Sequence, residues 1–92
     1  MKSTKGRKRR CPLVMIEWED SAQPAPAWRH LSDIPKPKGV RCASVGWLLH
    51  DGRVKALAPN MGAIGDEMNI QASGVIEIPS RCVVRVHRLR EP

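Results

Sequence analysis

The stretch "SVGWLLHDGRVKALAP", residues 44 to 59, sets Asp51-Gly52 between two apolar runs. That dipeptide suits a two-residue hairpin, because both residues of a type I′ turn take positive φ and Asp-Gly does so at little cost. With the turn at Asp51 and Gly52, His50 stands opposite Arg53, Leu49 opposite Val54, Trp47 opposite Ala56 and Val45 opposite Ala58. This register collects Val45, Trp47, Leu49, Val54, Ala56 and Ala58 on one face, the expected core side, with the large indole across from a small alanine. The other face, with Leu48 beside Lys55 and Gly46 beside Leu57, is half polar.

Toward the N-terminus, Val14, Ile16 and Trp18 alternate with Leu13, Met15 and Glu17. A period of two in β-branched and aromatic residues reads as a first strand with Val14, Ile16 and Trp18 inward. "EDSAQPAP" ends it, "AWRHLSDI" suits a turn or two of helix with Trp28, Leu31 and Ile34 on one side, and "PKPKG" closes the excursion as a stiff connector.

Toward the C-terminus, "PNMGAIGDEMNIQAS" (59 to 73) reads as a long mobile loop with a short irregular strand near Asn69 to Ala72. "GVIEIP" and "CVVRVHRL" are two further strands, so close together that a single 3₁₀-type turn at Ser80 and Arg81 must join them at a sharp angle. In the last strand Val84 and Val86 are expected inward and Arg85 and His87 outward. The result is mainly β: a small five-stranded SH3-like or Sm-like barrel, closed because an open sheet of so few strands exposes its edges. Residues 12 to 92 make this single domain, and residues 1 to 11 a basic, flexible arm.

The 92 residues carry a net charge of +7, and its location matters more than its size. Lys2, Lys5, Arg7, Lys8, Arg9 and Arg10 supply six of the sixteen basic residues, which leaves ten against nine acids and a nearly neutral body. A basic arm attracts any polyanion in a salt-sensitive, sequence-indifferent way, so selectivity has to come from the body. No apolar leader follows the charges, since "PLVMI" runs into Glu17, Glu19 and Asp20, and no stretch is long enough to span a membrane. An odd count of three cysteines, Cys11, Cys42 and Cys82, without close spacing in the sequence, points to a reducing, cytoplasmic setting.

Catalytic chemistry finds no foothold. Cys11, Cys42, Cys82, His30, His50 and His87 do not form the closely spaced ligand pairs of a structural zinc site, so no metal and no cofactor is expected. No oxyanion loop or orienting third group accompanies a Cys-His pair. Glu17, Glu19 and Asp20 read as solvated charges, and "NMGAIGDE" lacks both the dinucleotide fingerprint and the phosphate-loop lysine. The protein is therefore expected not to be an enzyme. Trp18 and Trp47 read as core, leaving Trp28 as the free indole.

Two sets of contact residues remain. The arm together with Arg85, His87 and Arg88, flanked by Arg81 and Arg90, forms a cationic set suited to phosphate or to an acidic protein surface. Trp28, Met61 and Ile64 are the apolar candidates for contact with a protein.

The segments "VMIEWEDS…W", "CASVGWLL", "RVKALAPN" and "ASGVIEIPSRCVVRVHRL" together resemble a group of small uncharacterised proteins of tailed bacteriophages and prophages. The resemblance covers about residues 13 to 90 and implies a phage origin and an accessory role in the bacterial host cytoplasm, with no catalytic residue carried over. The expected function is non-enzymatic binding of a host macromolecule, a host protein or a nucleic acid, with the arm adding electrostatic attraction. The alternative is a minor virion or assembly component that forms a homo-oligomer through its sheet edges.

Overall fold

The computed structural model describes residues 11–21 and 27–91. The arm residues Lys2, Lys5, Arg7, Lys8, Arg9 and Arg10 lie outside the described residues.

The protein is mainly β and antiparallel. β1 (Leu13–Asp20), β2 (Val40–Asp51), β3 (Val54–Ala58), β6 (Ile76–Pro79) and β7 (Val83–Arg88) form a five-stranded sheet in the order β6-β3-β2-β1-β7. β4 (Asn60–Gly62) and β5 (Gln71–Ser73) pair with each other as a separate two-stranded ribbon. The long loop expected at residues 59 to 73 is thus a small hairpin, whose returning strand falls close to the position anticipated for it. One 3₁₀ turn, Leu31–Asp33, lies in the excursion between β1 and β2, and a second, Ser80–Cys82, forms the expected corner between β6 and β7.

β2 is long enough to serve two partners. Its first part pairs with β1 from Asp20↔Val40 to Leu13↔Trp47, and its last part pairs with β3 from Trp47↔Ala58 to Asp51↔Lys55. The sheet pivots where the two ladders meet, at Gly46 and Trp47. A Cβ on Gly46 would stand 2.6 Å from the Ala58 carbonyl oxygen and 3.1 Å from Leu57 Cγ, so only a hydrogen fits beneath the crossing strand.

The bend encloses one small core. Val14 and Ile16 from β1, Leu57 from β3 and Ile78 from β6 are fully buried, with Trp18, Leu48, Cys82 and Val83 packed against them. Val14 and Ile16 face inward as the alternation requires, and burying such side chains stabilises the fold by about 1.5–3 kcal/mol each. Trp18 is half-buried, and its Nε1 donates to Ser44 Oγ at 3.0 Å, which keeps the indole nitrogen bonded at the edge of the apolar interior.

Three expectations are corrected. The Asp51-Gly52 hairpin exists, but its turn is not type I′, because among the described residues positive φ occurs only at Ala63, Gly65 and Gly74. Instead Asp51 pairs with Lys55, and the ladder shifts between Leu48 and His50. The tip is held from outside: Ser80 donates its N–H to the Arg53 carbonyl at 2.9 Å and its hydroxyl to the Gly52 carbonyl, while the Lys55 ammonium bonds the Asp51 carboxylate.

The second correction follows from the first. Trp47 lies opposite Ala58 and Leu48 opposite Leu57, so the inner face of β2 carries Ser44, Gly46 and Leu48, and the outer face carries Val45 and Trp47. Val45 is 52% exposed and Trp47 half-buried, where both were expected in the core. The inner face needs a residue without a side chain at the pivot, and only the phase containing Gly46 supplies it.

Thirdly, the sheet does not close into a barrel through backbone pairing. β6 and β7 are its two ends and share no ladder. The 3₁₀ corner between them packs against β1 and shuts one end of the core instead.

Candidate binding surface

Antiparallel partners project side chains to the same face, so the ladders fix what lies on the outer surface of β2, β1 and β7. At one end Leu13 stands between Trp47 and Leu89, whose N–H donates to the Leu13 carbonyl at 2.8 Å. In the next row Met15 stands between Val45 and His87, and in the next Glu17 stands between Ala43 and Arg85. Glu19 follows, opposite Arg41. This face therefore grades from an apolar strip of Leu13, Met15, Val45, Trp47 and Leu89 to an ionic patch of Glu17, Glu19, Arg41, Arg85 and His87.

His87 Nε2 lies 2.6 Å from Glu17 Oε2, diagonally across the β1–β7 ladder. Opposite an ionised carboxylate, that ring nitrogen is the donor. The hydrogen bond from His87 is the main cause that lowers the pKa of Glu17 below its ordinary value; partial desolvation opposes it, and the charges of Arg85, His87 and Arg41 reinforce it. Glu17, expected as a solvated charge, is instead a half-buried partner of the C-terminal strand. Two residues 70 positions apart give no sequence signal of such a pair.

The other candidates are scattered. Arg85 and His87 point to the outer face as expected, whereas Arg88 is opposite Val14 and projects to the other side of β7. Val86 is opposite Ile16 on the inner side, yet it remains 41% exposed because, among the described residues, no strand lies beyond β7. Met61 pairs with Ala72 in the β4–β5 ribbon, and Ile64 is exposed in the loop that joins those strands. Trp28 is fully exposed on the excursion, with Leu31 and Ile34 also uncovered, so their expected common apolar side is not packed on the core. Trp28 shares an open hollow with Ile34, Pro35, Pro37 and Val40, all exposed and all from the one segment 27–40. Met61 and Ile64 thus belong to the one β4–β5 hairpin and Trp28 to the excursion between β1 and β2.

Among the described residues no group of three or more His, Cys, Asp or Glu side chains is placed to hold a metal ion. Cys11, Cys42 and Cys82 are in no disulfide. Among the same residues no helix is long and apolar enough to cross a membrane. No protein-family model, curated protein or solved structure matches the chain.

Proposed function

We propose that this protein is a non-enzymatic binding domain of SH3-like architecture, a phage accessory protein that engages a host protein through the outer face of β1, β2 and β7. What supports the architecture is a bent five-stranded sheet whose last two strands meet at a 3₁₀ corner. The observation that carries the function is the graded outer face: Leu13, Met15, Val45 and Trp47 form an apolar strip, with Val45 exposed and the other three half-buried, beside the ionic patch. An apolar centre with a charged rim is the usual composition of a protein contact.

A nucleic-acid ligand is less well served by the body, because Arg41 faces Glu19 and Arg85 faces Glu17, which offsets the positive charge a phosphate would need. The arm, with six cations before residue 11, adds sequence-indifferent attraction on the way to the partner. A second reading, self-assembly of a virion component, is favoured only by the unpaired edges of β6 and β7.

Capture from a bacterial host lysate tests the proposal, using the full chain, an arm-deleted chain and Val45→Glu, each with and without nuclease. The expected result is one host protein retained by the first two, unaffected by nuclease and lost with Val45→Glu. Retained material that disappears with nuclease or with the arm would replace the proposal by nucleic-acid binding. A homo-oligomer in sedimentation, with nothing captured, would favour the virion reading.

A further inference from the structure

β7 ends the sheet, and its ladder with β1 uses only alternate backbone groups. Leu89 donates to Leu13, so in antiparallel alternation His87 with Met15 and Arg85 with Glu17 are the other hydrogen-bonded pairs. Val86 and Arg88 consequently turn their N–H and C=O groups toward the open edge. Beside them Val84, at the irregularity in the ladder, and Val86 are 43% and 41% exposed. Arg81, Arg85, Arg88 and Arg90 are all exposed around this edge, and β7 itself holds no acid. Glu17 faces Arg85 across the β1 ladder and bonds His87, so Arg81, Arg88 and Arg90 are the cations left for an incoming segment.

We infer that the free edge of β7 takes up an extended acidic segment of the partner protein as a sixth strand, an inference that rests on the protein-binding reading above. Backbone pairing at Val86 and Arg88 supplies register, the two valines accept apolar side chains of the incoming strand, and the arginines select acids. A second copy is a poor occupant, because pairing β7 with itself brings Arg85, Arg88 and Arg90 toward their own counterparts. Phosphate is also a poor occupant, since it has no donor for the Val86 and Arg88 carbonyls and leaves the valines wet.

The test titrates the ¹⁵N-labelled full chain with a short synthetic peptide of alternating Glu and Val. Binding is expected to slow amide exchange at Val86 and Arg88 by about tenfold or more while the amides paired with β1 change little. Val86→Pro, which removes an N–H aimed away from β1, is expected to weaken binding about tenfold without breaking the β1 ladder. Should that variant fold poorly, the peptide can be altered instead. Methylating alternate peptide nitrogens is expected to abolish binding in one phase and spare it in the other. No binding, equal binding of a Lys-Val peptide, indifference to methylation phase, or protection elsewhere on the sheet each overturns the inference. An oligonucleotide that protects Val86 and Arg88 equally well overturns it too. If Val86→Pro still captures the host protein that Val45→Glu loses, the edge inference fails while the outer-face reading stands.

Discussion

The imidazole of His87 hydrogen-bonds the carboxylate of Glu17 at 2.6 Å and so fastens the last strand of the sheet to the first. Both residues belong to the ionic patch that rims the proposed contact surface.

Acidification should loosen this clasp. The pKa of Glu17 is lowered in the folded chain, so its contribution is present above the ordinary carboxylate range and is lost as pH falls below about 4.3 toward the folded value. Thermal melts between pH 2 and 7 should show a decline on the acid side that is shallower in Glu17→Gln. An unchanged pH profile in that variant would show that the carboxylate is not acting as described.

Gly46→Ala should destabilise the protein by about 1–3 kcal/mol, because the new methyl meets the Ala58 carbonyl across the pivot of the sheet. Gly62→Ala, where nothing stands within 4 Å, should stay within about 0.5 kcal/mol of the parent. Urea midpoints measured side by side distinguish the two.

Leu48→Lys and Val45→Lys test which face of β2 is inward. The first places an ammonium against the core cluster and should cost about 2–4 kcal/mol. The second alters a half-exposed outer position and should cost no more than about 0.5 kcal/mol. The reverse order would restore the opposite face assignment.

Ser44→Ala removes the acceptor of the Trp18 indole and should cost about 0.5–1.5 kcal/mol, with a shift in tryptophan fluorescence as the ring adjusts. Ser44→Thr, which keeps a hydroxyl there, should recover part of that loss.

What the sequence disclosed, and what it hid, follows from how far each signal reaches along the chain. Val14, Ile16 and Trp18 alternate within one strand, and the short link at Ser80 and Arg81 permits little but a corner, so both features were legible locally. The hairpin was legible as well, yet its faces were not: the phase of Val45, Trp47 and Leu49 is more apolar than that of Ser44, Gly46 and Leu48. Apolarity lost to space, because the Ala58 carbonyl passes over the smaller residue. The tip of the hairpin is bonded by Ser80, 28 residues beyond Gly52, a partner that no dipeptide preference contains. The composition of the outer face was hidden for the same reason, since the phase of Val45 and Trp47 reads as inward and Glu17 has no partner visible in the sequence. The apolar candidates Met61 and Ile64 fall in the β4–β5 hairpin and Trp28 in the excursion, segments whose relative placement no local pattern encodes.

The bond from Leu89 to the Leu13 carbonyl also says where the folded body can be cut and rejoined. The start of β1 and the end of β7 meet at one corner, so a short bridge from residue 91 to residue 12 spans little distance, and new termini can be opened in the exposed β4–β5 loop. A permuted chain of this kind would keep the five-stranded sheet while carrying any attached tag or leader to the ribbon side, away from the Leu13 and Leu89 corner.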